Sequence, residues 1–205
     1  MRVAVFGGSF NPPHVGHVLA ACYLLSIGAC ERVLVVPVKA HAFNKALAPL
    51  PDRLALCEAA MGSLTNVFVS DREATLPPPN YTLTLLEALA AEHPSWQLRL
   101  VIGTDVLAER HLWHAFDEVE RLAPLIVLGR AGYSSDGRSS DESSSVVSDE
   151  LTRFEAPPAF LPEVSSTEVR ALLARRGEPG VREALALRVP ARVLAEIEAR
   201  GLYSG

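Results

Sequence analysis

Val3-Ala4-Val5-Phe6-Gly7-Gly8-Ser9-Phe10-Asn11-Pro12-Pro13-His14-Val15-Gly16-His17 passes from one apolar run, through two glycines and a proline pair, into a second apolar run of helical length. It reads as strand, tight loop, helix. The glycines reach backbone angles that other residues avoid. Pro12 pushes Asn11 toward extended geometry and Pro13 does the same to Pro12. The helix is therefore expected to begin near Pro13 or His14, where proline is tolerated. A helix start presents unpaired N–H groups and partial positive charge, so it attracts phosphate. His14 and His17 lie three residues apart, which puts both imidazoles on one helical face above the loop.

Outward from this unit the same alternation continues. Apolar runs at 2–6, 32–38, 66–70, 97–102 and 124–128 read as strands. Between them, 15–27, 52–61, 81–92 and 105–116 read as helices, with a short turn at 117–122. Alternating strands and helices predict an α/β fold: a Rossmann-like parallel sheet with helices on both faces. Near-continuous apolar strands fit a sheet covered on both sides. Ligands in such sheets sit beyond the carboxyl ends of the strands, at the switch point, so the loops after the strands are where chemistry belongs. Residues 133–149 differ: their serine-rich core cannot bury apolar surface and reads as a flexible surface insertion. A proline-rich link follows, then two helices near 166–176 and 191–200. The expected organisation is one domain over 1–205, with 164–205 as a small C-terminal helical part.

The bulk numbers narrow the class. The chain has 205 residues, about half of them apolar, and a net charge of −5. No long basic run appears, which argues against polymeric nucleic acid as a partner. Cys22, Cys30 and Cys57 form no C-x-x-C pair, which suits reduced thiols in cytoplasm. Met1-Arg2 leads straight into a strand, so no secretory leader is expected. The longest apolar run is too short to span a bilayer. A homo-oligomer stays open.

Two phosphate signatures are excluded. No glycine is followed by the Lys-Ser or Lys-Thr of a Walker loop, and the second strand runs into Lys39, not the acid of a dinucleotide fingerprint. A cation there suits an anionic ligand. His14 and His17 could instead begin a metal site, but zinc takes three or four ligands and no Cys or acid lies close by in sequence. Two structural histidines are the plainer alternative.

Gly7 to His17 resembles the G-[GS]-[ST]-F-D-P-x-H-x-G-H motif of the nucleotidyltransferase superfamily, with Asn11 where the family usually has Asp. Further segments resemble the branch that acts on nicotinate mononucleotide. Lys45 resembles the lysine that closes its P-x-x-x-P-P-H-K loop. Asn80-Tyr81-Thr82 is similar to its S-Y-T, and Val101-Ile102-Gly103-Thr104-Asp105 to its I-I-G-x-D. Trp113 matches a tryptophan that packs on the pyridine ring, and Arg130 falls in an R-x-G. Val164-Ser165-Ser166-Thr167-Glu168-Val169-Arg170 matches [IV]-S-[SA]-T-x-[IV]-R. Taken alone, Asn80 could simply cap a helix, Asp105 another, and Ser165 with Glu168 could form a capping box. Arg53 could turn back toward the same pocket, and His111 with His114 looks incidental.

The resemblance implies an adenylyltransferase that joins ATP to nicotinate mononucleotide, with Mg²⁺ arriving on the ATP phosphates and no metal held by the protein. It implies catalytic roles for His14, His17, Lys45 and Arg170. ATP contacts would come from Gly7, Gly8, Ser9, Phe10, His17, Gly103, Asp105, Arg130, Ser165, Ser166, Thr167 and Arg170. Acceptor contacts would come from Tyr81, Thr82, Trp113 and Lys45. The altered loop at 39–45 leaves nicotinamide mononucleotide, phosphopantetheine or another phosphate ester open as acceptor. A zinc hydrolase and a non-catalytic nucleotide sensor are the rivals from other classes.

Overall fold

The computed structural model describes residues 1–39, 46–103, 110–128, 153–155 and 161–203. Six strands form a single sheet: β1 (Arg2–Gly8), β2 (Arg32–Pro37), β3 (Val67–Val69), β4 (Gln97–Gly103), β5 (Leu125–Leu128) and β6 (Arg153–Glu155). Their order is β3-β2-β1-β4-β5-β6, and every neighbouring pair is parallel. This is the Rossmann order, whose switch point falls between β1 and β4. Five of the strands stand where the apolar runs predict them. The sixth, β6, was not read as a strand; its three residues are too few to show a period.

Alternate residues of each strand feed opposite faces, as the pleat requires. Val3, Val5, Leu34, Val36, Leu100 and Ile102 enter one core layer, and Ala4, Val33, Val35, Val101 and Ile126 the other. Helices α3 (Thr82–Glu92) and α4 (Phe116–Leu122) close the first layer through Leu86, Leu89, Phe116 and Val119. Helices α1 (Val15–Ser26) and α2 (Leu50–Met61) close the second through Ala20, Ala21, Leu24, Cys57 and Met61. Each such buried aliphatic contributes about 1.5–3 kcal/mol of transfer free energy.

A third cluster forms outside the sheet. Leu56 of α2 meets Val169 and Leu173 of α5 (Ser166–Ala174), Val181 and Leu185 of α6 (Val181–Ala186), and Val193 and Ile197 of α7 (Ala191–Arg200). The C-terminal helices thus pack on α2 and bring α5 beside the loop that follows β1.

Three expectations need correction. Residues 117–122 form helix, not a turn, because Phe116 and Val119 share one buried face and Asp117 and Glu118 suit a first turn. The helix read at 105–116 does not run through to 116. Arg110–Leu112 is a 3₁₀ turn and Ala115 takes φ 50°, which ends any helix before it. Helix α6 was missed: it has six residues, and Gly180 at φ 78° starts it directly after a Glu-Pro-Gly turn.

Candidate active site

The loop between β1 and α1 is held from behind by its own carbonyl oxygens. Val38 N–H donates to Gly8 O at 2.9 Å. Arg53 Nη1 donates to Ser9 O at 2.9 Å, Arg170 Nη1 to Asn11 O at 2.7 Å, and the Ser166 hydroxyl to Pro12 O at 2.9 Å. In a planar trans peptide the C=O and the following N–H point opposite ways. Fixing Gly8 O and Ser9 O therefore points the Ser9 N–H away from Val38 and the Phe10 N–H away from Arg53. Prolines 12 and 13 supply no N–H, and the two carbonyls before them are neutralised by Arg170 and Ser166. The carbonyls of Gly8, Ser9, Asn11 and Pro12 are thus all paired, and the Ser9 and Phe10 N–H groups are the loop's candidate anion donors.

The histidines form a stack. His14 is buried and His17 half-buried, and their rings lie 3.8 Å apart; Phe10 flanks His17 at 4.8 Å. His14 N–H donates to His17 Nδ1 at 3.2 Å. That bond assigns the tautomer: a neutral His17 carries its proton on Nε2 and donates from there. Two glycines make room for the stack. A Cβ on Gly16 would meet the His14 ring at 3.1 Å, and one on Gly8 would meet the Phe10 ring at 3.2 Å.

The start of α1 is less open than the sequence suggests. Val15 N–H donates to Arg188 O at 2.9 Å, and His17 N–H turns back to His14 O at 3.0 Å. Charge complementarity here falls to the loop amides and the imidazoles more than to the helix terminus. Arg188 also pairs with Glu168 at 2.8 Å, so one residue ties α1 to α5. Glu168 is thereby drawn away from Ser165, and only half of the expected capping box forms: Glu168 N–H donates to the Ser165 hydroxyl at 3.1 Å. Arg170 Nη2 reaches the Thr167 hydroxyl at 3.2 Å. The late Ser-Ser-Thr turn and the N-terminal loop are thus in direct contact.

Arg53 does not face the pocket. It is 1% exposed, and its Nε donates to Ala48 O at 2.8 Å while Nη1 holds Ser9 O. Burial pulls its guanidinium below the ordinary arginine range, and the Tyr203, Cys57 and Glu73 groups oppose that shift. The signal for this brace lay in the sequence: Arg53 shares the buried stripe of α2 with Leu56 and Cys57, where a cation must find acceptors.

The predicted acceptor side lies at the start of α3, which packs on the face of the sheet opposite α1. Tyr81 is the N-cap residue and no side chain caps the first turn. Asn80 is not the cap: its Nδ2 donates to Glu73 O at 3.2 Å. Thr82 opens the helix. Tyr81 is 41% exposed and stacks on His114, with ring centroids 4.1 Å apart and 20° between planes. His114, which looked incidental, therefore stands beside this helix start. Trp113 meets Phe116 edge to face at 5.8 Å and packs partly into the first core layer. Lys39 leaves β2 with Nζ on Ala74 O at 3.3 Å, and its N–H is 3.4 Å from the buried Glu73 carboxylate. Gly7 and Gly8 end β1, and Gly103 ends β4, at the same edge of the sheet. Lys45, Asp105, Arg130 and the insertion at 133–149 lie outside the described residues.

Among the described residues no three His, Cys, Asp or Glu side chains gather to hold a metal ion, so His14 and His17 have no third ligand there. Cys30 is pushed up to about 11 by burial, and Cys57 is driven upward for the same reason, so both are protonated thiols at neutral pH. No described helix is long and apolar enough to cross a membrane.

A parallel sheet of this order, with a His14-Val15-Gly16-His17 turn at its switch point, defines a nucleotidyltransferase of Rossmann-like fold. Residues 5–172 match the cytidylyltransferase-like family, and the chain belongs to it. Within that family it is 41% identical over 207 residues to a probable nicotinate-nucleotide adenylyltransferase of Anaeromyxobacter dehalogenans (strain 2CP-C), covering 100% of this chain and 97% of the relative. A protein of the same name from Myxococcus xanthus (strain DK1622) is 35% identical over 204 residues, covering 99% and 95%. The fold also matches the Plasmodium falciparum nicotinic acid mononucleotide adenylyltransferase complexed with NaAD, with a TM-score of 0.76 at 16% identity over 98% of this chain and 97% of that one.

Proposed function

We propose that this chain is a nicotinate-nucleotide adenylyltransferase. ATP and nicotinate mononucleotide give nicotinate adenine dinucleotide and pyrophosphate. The observation that carries the reading is the contact between the two anion-seeking turns: Arg170 and Ser166 reach the carbonyls of the loop that bears His14 and His17. That contact favours a single cradle, with loop amides, imidazoles and a guanidinium around one polyphosphate.

The chemistry asks little beyond placement and charge. An oxygen of the acceptor phosphate, already ionised, attacks the α-phosphorus of ATP, and the bond from that phosphorus to the β-phosphate oxygen breaks. No general base or covalent intermediate is needed. Catalysis is positioning plus stabilisation of the charge shifting onto pyrophosphate. The Ser9 and Phe10 amides, His17 Nε2, Arg170, Ser166, Thr167 and Lys45 are assigned to that charge. The loop shows no acidic cage, which suits Mg²⁺ entering as MgATP with phosphate oxygens and water as its ligands. Bound there, it would supply positive charge beside the leaving pyrophosphate. The uncapped first turn of α3, with Tyr81 and Thr82, suits the nicotinate carboxylate.

Purified protein with MgATP and a panel of acceptors tests the reading through pyrophosphate release. Nicotinate mononucleotide should exceed nicotinamide mononucleotide in kcat/KM by at least about tenfold, the value of one charge-assisted contact. Phosphopantetheine should give background. Equal use of both mononucleotides, or turnover of phosphopantetheine alone, would overturn the assignment.

A further inference from the structure

Asn11 is 2% exposed, and every hydrogen-bonding site of its side-chain oxygen is in use. Its Nδ2 donates to Ala46 O at 3.2 Å. Its Oδ1 accepts from Ala48 N–H at 3.0 Å and from the Tyr203 hydroxyl at 2.9 Å. One short amide thus touches three segments: the phosphate loop it belongs to, the chain that leads into α2, and the turn that ends α7. We propose that Asn11 is a positioning residue whose neutral amide locks these three segments into one register, so that the C-terminal Tyr203 acts on the reaction centre through it.

The chemistry of the site selects an amide. Asn has both a donor and a two-lone-pair acceptor, and both are used here. A carboxylate has no donor for Ala46 O and would set two acceptors against each other in a buried place. The backbone gives a second, separate sign. Phe10, the preceding residue, is held at φ 43°, and Tyr203 at φ 55°. Side-chain-bearing residues avoid this left-handed region, and such strain persists only where the surroundings over-determine it. Both residues adjoin Asn11, one through the chain and one through a hydrogen bond. The link itself stands without an assigned reaction; its effect on turnover rests on the function proposed above.

Two variants test it. Tyr203→Phe keeps the ring and removes only the hydroxyl. Ala48 N–H bonds Asn11, not Tyr203, yet its hydrogen exchange should quicken about three- to tenfold in this variant, and kcat should fall by a similar factor at temperatures far below Tm. Asn11→Asp should lose kcat progressively as pH rises, because only the protonated carboxyl can donate to Ala46 O. The titratable and charged groups around the Tyr203 hydroxyl are Arg53, Arg170, Asp52 and Cys57; burial, Asp52 and Cys57 would move that loss to higher pH, and the two guanidiniums would move it to lower. Unchanged Ala48 exchange in Tyr203→Phe, or wild-type kcat for Asn11→Asp at every pH, would overturn the proposal. A lowered Tm with wild-type kcat would show a purely structural role and also overturn it. A wild-type protein that releases no pyrophosphate would refute the assigned reaction instead, and the exchange measurement would still decide the role of Asn11.

Discussion

The loop after β1 and the start of α3 belong to opposite faces of the sheet, α1 packing on one core layer and α3 on the other, and they are built on opposite plans. In the loop the candidate ligand-facing groups are largely backbone, and the side chains that fix the loop are buried or half-buried: Arg53, Asn11, Arg170 and Ser166. At α3 the backbone is left uncapped, and the candidate ligand-facing groups are exposed rings, Tyr81 on His114. A triphosphate has one shape and a fixed charge, so amides held rigidly serve it at no reorganisation cost. An acceptor must enter and leave, and a side-chain platform with few buried contacts opens at lower cost.

The largest expected effect tests the loop half. His17→Ala removes the Nε2 donor, so kcat should fall by roughly 10²–10³, while the loss of the acceptor for His14 N–H should lower Tm by only a few degrees. Because the uncapped start of α3 is untouched, KM for the acceptor should stay near its wild-type value. A well-folded His17→Ala protein with full turnover would remove the loop from the chemistry and dissolve the contrast.

Next comes the brace beneath it. Arg53→Met keeps the length and apolar stem but strands Ser9 O and Ala48 O without a donor. Two partly buried acceptors left unmet cost about 2–4 kcal/mol, or roughly 5–15 °C in Tm for a chain of this length. Thermal unfolding measures it. If Arg53→Met melts with the wild type, the loop is stiff for some other reason.

How much of this was legible in the sequence follows from how local each feature is. Strand, glycines, prolines and the His-x-x-His spacing lie in one stretch, and their arrangement emerged as read. The alternation along β1, β2, β4 and β5 likewise announced a sheet buried on both faces. Arg53 was harder to read because its partner Ser9 lies 44 residues away, and Tyr203 harder still, meeting Asn11 across 192. A charge on an apolar helical stripe signals that an acceptor exists without saying where. The stack of Tyr81 on His114 had no signal, since Ala115 at φ 50° redirects the chain there and a left-handed alanine is not written in composition. Helix α6 was invisible for its brevity, being held by packing on α5 and not by its own propensity.

Glu73→Gln gives the smallest effect and probes the acceptor half, which has a buried polar joint of its own. Glu73 is 6% exposed, with its carboxylate beside Lys39 N–H, and its backbone carbonyl holds Asn80 next to Tyr81. Burial raises its pKa above the ordinary 4.5, with the Lys39 N–H, Arg53 and Lys39 charges pulling it back. A carboxyl whose pKa is higher folded than unfolded binds more protons in the native state, so its contribution is fully present below the unfolded value and is lost as pH rises through the folded one. Glutamine keeps an acceptor for Lys39 N–H and carries no charge to desolvate. Relative to the wild type, Glu73→Gln should therefore gain in Tm by a few degrees on going from pH 4 to pH 8, with the difference growing from about pH 4.5 upward. A difference that shrinks with pH would mean that Arg53 and Lys39 outweigh burial and that Glu73 is a working ion-pair partner. The acceptor side would then be braced by charge much as the loop is braced by hydrogen bonds, and the two halves would differ in exposure alone.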